Sequence, residues 1–250
     1  MTKWRLIGLT TNSAAMNMAI DEAISEAVRA KKAVPTIRFY KWQPSAVSIG
    51  YFQSLSDEVD VELCKKTGVG FVRRRTGGGA VYHDSNGEIT YSVIAPEALF
   101  PKGITESYQV ICGWIVDALK RIGIAAEFKP INDIITAGKK ISGNAQTRRN
   151  GILLQHGTIL HKLDVAAMFS LLKVPKEKIS DKFIEDVKQR VTSVTDINPQ
   201  ISEQQLKDAL VAAFSDGKEF EFGTETAEEK AAAERLVKER YASDAWNFLR

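Results

Sequence analysis

The chain has 250 residues, 44% apolar and 26% charged, with a formal net charge of +3. That much apolar material supplies a folded core and excludes a disordered or fibrous chain, while so even a charge balance gives no sign of a nucleic-acid surface. Two cysteines, Cys64 and Cys112, are too few for a disulfide framework or a thiolate metal site. The opening MTKWRLIGLT is too short an apolar run for a signal peptide and no run of 18 or more apolar residues follows, so a cytoplasmic protein with no membrane partner is expected.

In chain order, residues 13 to 31 place Ile20, Ala23, Ile24, Ala27 and Val28 on one face of a helix. From Pro35 to Ala95 the pattern turns to short β-rich runs, TIRFY, AVSIGYF, GVGFVRR, AVYHD and EITYSVIA, interrupted by a predicted helix over Asp57 to Gly68. Helical spacing returns over Thr105 to Ile122, which puts Cys112 on an apolar stripe. Strands follow from Ala126 to Leu163, and Asn150-Gly151, a dipeptide suited to a two-residue hairpin, sets Lys140 and Ile152 on adjacent strands. The last third reads as helical, with capping boxes at Ser202/Gln205 and Thr226/Glu229. The charged stretch Val174 to Asp181 is a candidate boundary, although the helices beyond it can equally pack back on the sheet. Strands without regularly alternating helices predict an α+β fold, a largely antiparallel or mixed sheet flanked by helices.

Two clusters could carry chemistry. In RRRTGGGAVYHD the run Gly77, Gly78, Gly79 lies between two strands, where backbone amides can meet a carboxylate or phosphate; an ordinary hairpin would use the same glycines. It is neither a P-loop nor a dinucleotide fingerprint, since no Gly-Lys-Ser/Thr and no crossover helix follow. Arg73, Arg74 and Arg75 precede it and His83-Asp84 follow; strand alternation sets Arg74 against its neighbours, so Arg74 is the favoured anion contact and the outer two are solvated or structural. His83 has no second histidine at ligand spacing and is not assigned to a metal. The second cluster, NDIITAGKKISGNAQ, folds at Ala137-Gly138 to bring Asn132 and Asp133 near Lys140 and Ser142, with Lys140 and Ser142 expected on one face. A lysine beside a carboxylate can neutralise a transferring phosphate, and surface lysines on a solvated hairpin would look the same.

These motifs, with QHGTILHKLD, RVTSVTDI and a terminal YASDAWN, occur in the same order in lipoate-protein ligase A, which the chain resembles over nearly its whole length. The resemblance implies a fold similar to biotin protein ligases and the catalytic domains of class II aminoacyl-tRNA synthetases, as one catalytic domain over 1–250 without the further small C-terminal domain of many members. It implies ATP-dependent conversion of lipoate to lipoyl-AMP, then transfer to a lysine of lipoyl-domain proteins such as 2-oxoacid dehydrogenase acyltransferase subunits and the glycine cleavage H protein. A separate accessory protein is expected to stand in for the absent domain. By the same resemblance Lys140 and Asp133 are catalytic. ATP and lipoate are bound by Arg74, Gly77, Gly78, Gly79, Ala80, Val81, Tyr82, His83, Asp84, Asn132 and Lys140, with Mg²⁺ accompanying ATP and Asp133 either helping to hold it or orienting Lys140. The rival within the superfamily is an ATP-independent octanoyl or lipoyl transferase, whose cysteine would stand in the loop before KISG or beyond QHG; neither place holds one. The rival outside it is a nucleic-acid-binding module using Arg73 to Arg75, Arg148 and Arg149, which no interleaved aromatic platform supports.

Overall fold

A computed structural model of the protein describes residues 2–173 and 189–250. The candidate boundary at Val174 to Asp181 lies outside those residues.

Eleven described strands form two sheets. The larger has eight, in the order β11-β1-β2-β6-β10-β9-β8-β7: β1 (Lys3–Asn12), β2 (Thr36–Trp42), β6 (Glu88–Pro96), β7 (Glu127–Lys129), β8 (Asp133–Thr136), β9 (Lys139–Arg149), β10 (Ile152–Leu160) and β11 (Glu219–Gly223). β1 runs parallel to both β2 and β11, and the other pairs are antiparallel, which makes the sheet mixed. The smaller sheet, β4-β3-β5, joins β3 (Ala46–Ile49) to β4 (Gly70–Arg73) in parallel and to β5 (Val81–His83) antiparallel.

Strand alternation sends side chains to two cores, because neighbours along a strand point to opposite faces. Ile37, Phe39, Tyr91 and Leu153 pack against α4 (Ile104–Arg121) and the helix Glu203–Ser215. Tyr40, Trp42, Ile94 and Leu154 pack on the other face against α1 (Ala14–Arg29) and the helix Ala227–Leu236. Cys112 is buried in the first core, as its stripe predicts. Cys64 is buried under the small sheet in a third cluster with Val47, Ile49 and Leu171.

The α+β reading holds, as do both capping boxes and the Asn150-Gly151 turn, whose two residues take positive φ of 53° and 78°. Three readings differ. The helix expected over Asp57 to Gly68 is two, α2 (Leu55–Glu58) and α3 (Val61–Thr67), because Asp60 accepts the Leu63 amide as a fresh N-cap. β1 was not foreseen as a strand. β11 interrupts the helical last third as an edge strand; four of its five residues, Glu219 to Phe222, are exposed, so burial left no pattern to read.

Candidate active site

Where the two sheets meet lies a cavity of about 330 Å³, walled on one side by the glycine turn and β5 and on the other by β9 and β10. Its first wall is over-determined. A Cβ on Gly50 would stand 2.0 Å from the Gly78 carbonyl oxygen, and Gly78 itself has φ +91°, so both positions require glycine. Arg74 is buried beneath this turn. It donates through Nη2 to Gly77 O (2.7 Å) and Gly79 O (2.8 Å), through Nη1 to Ser48 O and Oγ (3.1 Å each) and through Nε to Thr76 Oγ1 (3.2 Å). Burial lowers its guanidinium to about 10, still well above neutrality, so Arg74 stays charged. Arg73 and Arg75 are tied to the protein as well, although β4 ends at Arg73 and strand alternation therefore does not set Arg74 against them. Arg73 donates to the carbonyls of Gly50, Tyr51, Gln53, Trp246 and Asn247, and Arg75 pairs with Glu22 at 3.0 Å.

Two buried histidines brace this wall, His83 from β5 within it and His156 reaching across from β10. His83 stacks on Trp42 with ring centroids 3.9 Å apart; its Nδ1 meets Glu88 Oε1 at 2.6 Å and its Nε2 meets Ser48 Oγ at 2.8 Å. Both ring nitrogens are therefore occupied by protein. His156 Nε2 lies 2.7 Å from Thr76 Oγ1 and Nδ1 lies 3.5 Å from Asp21 Oδ2, while Asp21 Oδ1 accepts from Arg38 Nη1 at 2.8 Å. Burial lowers the His156 pKa, against the pull of Asp21. Burial alone would raise Asp21, but Arg38 and His156 hold it below the ordinary carboxylate value. A continuous buried chain thus runs from Arg38 through Asp21, His156 and Thr76 to Arg74.

The amides of Gly78, Gly79 and Ala80 are donors in none of the bonds among the described residues, and a Cβ on Gly77 or Gly79 would meet nothing within 4 Å. That is an open cradle of backbone donors over a buried cation, suited to a phosphate or carboxylate.

The opposite wall is built on the β8–β9 hairpin, which turns at Ala137 and Gly138 with φ of 47° and 77°. The register pairs Ile134 with Ser142 but Ile135 with Lys140, which leaves Ile141 as an extra, fully buried residue. That bulge corrects the expectation that Lys140 and Ser142 share a face. Ser142 is fully buried away from the cavity, and Lys140 folds instead across Gly143, where an added Cβ would come within 2.8 Å of its Cε. Lys140 Nζ lies 2.6 Å from Asp133 Oδ1, with both side chains over a third exposed. Asn132 and Asn144 brace this wall: Asn144 donates to Asn132 O through its amide (3.1 Å) and Nδ2 (2.9 Å), and Asn132 Nδ2 returns a bond to Asn144 O.

Of the residues named from sequence, Arg74, Asn132, Lys140 and every position from Gly78 to Asp84 line the cavity. Gly77 and Asp133 do not: Gly77 spends its carbonyl on Arg74, and Asp133 reaches the cavity only through Lys140. Sequence reading missed Met18, Trp42, Ser48, His156, Met168 and Val191 as lining residues. Only His156, in the QHG motif, carried a signal that could have marked it.

With this geometry in hand, comparison with known proteins is decisive about family. The model of the lipoyl protein ligase A/B catalytic domain matches residues 13–215. The chain belongs to that family. Octanoyltransferase LipM of Brevibacillus brevis is 38% identical to it over 278 residues, covering the whole of both, and LipM of Geobacillus kaustophilus is 38% identical over 99% of this chain and 98% of its own. Among solved structures, a bi-partite lipoate protein ligase from Thermoplasma acidophilum, studied with its E2 lipoyl domain, superposes with a TM-score of 0.87 at 33% identity, covering 99% of this chain and 97% of that one. A lipoate-protein ligase A bound with ATP gives 0.83 at 31%, covering 99% of both. The protein is thus an enzyme of the lipoyl and octanoyl ligase and transferase superfamily, with the fold of the solved lipoate ligases. Among the described residues no helix is long and apolar enough to cross a membrane.

Proposed function

We propose that this enzyme activates lipoate with ATP to lipoyl-AMP and passes the acyl group to a lysine of a lipoyl-domain protein. The observation that carries the reading is the pairing of walls in one cavity: an amide cradle over the buried charge of Arg74 faces a lysine held by Asp133. Adenylation joins two anions and builds negative charge at the α-phosphate, so a fixed cation and aimed amides stabilise the transition state more than the separate substrates. Lys140 acts here as a charge, not as a base, and Asp133 orients it. Among the described residues no three His, Cys, Asp or Glu side chains gather as a metal site. Mg²⁺ on this reading travels with the ATP phosphates, keeping much of its water, as that ion commonly does.

The ligases solved in complex with ATP or studied with an E2 lipoyl domain support this reading, and the bi-partite make-up of one of them supports a second polypeptide acting with this chain. The name of the curated relatives, octanoyltransferase, favours a second reading, transfer of an octanoyl group from a thioester without ATP. That chemistry needs an activated nucleophile. Cys64 and Cys112 are the chain's two cysteines; both are buried outside the cavity, and burial pushes their thiols up to about 11 and about 12. A thiol so placed is a poor nucleophile at neutral pH.

The test offers the protein lipoate or octanoate with ATP-magnesium in one arm, and an octanoyl thioester of a carrier protein without ATP in the other. Acyl-AMP detected by mass spectrometry in the first arm is expected. Acyl transfer to a lipoyl domain in the second arm, abolished by a thiol reagent, would replace the ligase reading with the transferase.

A further inference from the structure

The mechanism above uses Lys140 but leaves unexplained the motif RVTS at Arg190 to Ser193. β10 stops pairing with β9 at Ile159 opposite Ser142, so the edge of β9 at Lys140 has no strand beside it from that side. The Arg190 to Thr192 segment fills the place. Lys140 N donates to Arg190 O at 2.8 Å and Thr192 N donates to Lys140 O at 2.9 Å, a parallel bridge centred on Val191, whose side chain lines the cavity. The segment is anchored beyond the bridge. Thr192, Ser193 and Val194 are buried; Ser193 and Asp196 cap each other reciprocally; and Thr195 N donates to His161 O at 3.0 Å, next to the point where His161 and Lys162 both bond Gly87 O.

From this arrangement we infer that the Arg190–Thr192 segment is a clasp that positions Lys140, with the Thr192 amide its positioning group. Resting on the proposed role of Lys140, the inference explains how a lysine on a bulged, half-exposed hairpin is aimed. Among the described residues the ion-pair partner of its side chain is Asp133, which moves with the same hairpin, and the main chain supplies a hold from outside that hairpin. The clasp holds both polar groups of the Lys140 backbone against an element that is itself tied to the far end of the cavity through His161 and Gly87. Thr192 touches neither substrate nor cavity.

Thr192→Pro removes the amide donor, and Asp196→Ala loosens the cap four residues away without touching the cavity. The first is expected to slow adenylate formation by about 10- to 100-fold, the loss that ångström-scale misplacement of a catalytic group brings. KM for ATP and the melting temperature should change little, and Asp196→Ala should give a smaller loss in the same direction. In a Lys140→Ala background Thr192→Pro should slow the residual reaction no further, because a residue acting through Lys140 has nothing left to act on. A second readout needs no activity: trace acetylation of Lys140 Nζ, followed by mass spectrometry, should be faster in both variants than in the parent protein. Equal acetylation rates in the parent and in every variant that folds, or an undiminished effect of Thr192→Pro without Lys140, would overturn the clasp. If Thr192→Pro fails to fold, Asp196→Ala decides the matter alone. Absence of any adenylate from the parent protein would sink the proposed function, while the acetylation arm would still judge this inference.

Discussion

The two walls of the cavity reach the same end, charge presented to a ligand, by opposite constructions. On the glycine wall Arg74 spends its donors on the protein itself: they fix the shape of the turn, and the amides of Gly78, Gly79 and Ala80 in that turn donate no bond among the described residues. On the hairpin wall Lys140 keeps a half-exposed ammonium paired with Asp133 and is held through its own backbone as well. One wall is stiffened by buried side-chain polarity, the other by main-chain pairing. Substitutions on the first should therefore appear as lost stability, and on the second as lost rate.

The largest effect is expected at the root of the first wall. Asp21→Ala would strand Arg38, which is fully buried and whose Nε has no hydrogen-bond partner among the described residues, and would free His156 and Ser92 from the carboxylate that both bond. Breaking a buried ion pair from one side costs about 3–5 kcal/mol, so urea denaturation should show a loss of that size. A loss under about 1 kcal/mol would mean that the chain from Arg38 to Arg74 contributes little to the wall.

Lys140→Ala sets the contrast. An exposed ion pair contributes about 0–1 kcal/mol, so its melting curve should scarcely move. Adenylate formation should fall by about 10²- to 10³-fold, the loss typical when one fixed donor to a transition-state anion is removed. A variant that lost stability but not rate would reverse the assignment of the two walls.

Much of this contrast could be read from the sequence, and the reasons are local. Asn150-Gly151 specifies its hairpin because few other dipeptides accept two successive positive φ values, whereas at Ala137-Gly138 the glycine alone carries that signal. Ser202 and Thr226 carry their caps within four residues. Strand alternation did not separate the three arginines, because β4 ends at Arg73, and Arg74, expected as the direct anion contact, turns its donors into the protein like its neighbours. What it could not supply depends on partners distant in sequence. The bulge at Ile141 arises from the register of β8 on β9, and with it Ser142 is buried away from the cavity that Lys140 lines. That the Arg74 donors turn inward depends on Ser48, 26 residues away, and on carbonyls that exist only once the turn has closed. Trp42 comes to the cavity from a strand on which it reads simply as a member of a β-rich run.

Gly50→Ala tests how closely the first wall is packed. The added methyl would have to displace the Gly78 carbonyl, whose residue is held at positive φ. Overpacking of this kind costs about 1–3 kcal/mol. Because the displaced turn is also the amide cradle, KM for ATP should rise along with the loss of stability. A rise in KM without destabilisation would show that the turn yields more easily than its hydrogen bonds imply.

The smallest effect separates the walls by pH. His156 has a pKa lowered from 6.5 mainly by burial, so between that lowered value and 6.5 the unfolded chain binds a proton that the folded chain refuses. Unfolding is then favoured as the proton concentration rises. Stability should be fully present above pH 6.5 and should decline as pH falls from there through the folded pKa of His156. Asp21 adds a second decline only at more acidic pH, below its ordinary 3.8, because its folded pKa is lowered too. Melting temperatures taken from pH 7.5 to 5 should therefore fall, and His156→Gln, which keeps hydrogen-bonding groups for Thr76 and Asp21 but cannot titrate, should flatten that slope even if it lowers the starting value. Lys140→Ala should leave the slope unchanged, since nothing on the hairpin wall feeds the Asp21–His156 pair. A slope that survives His156→Gln, or one that disappears with Lys140, would mean that the buried chain is not what gives the glycine wall its pH dependence.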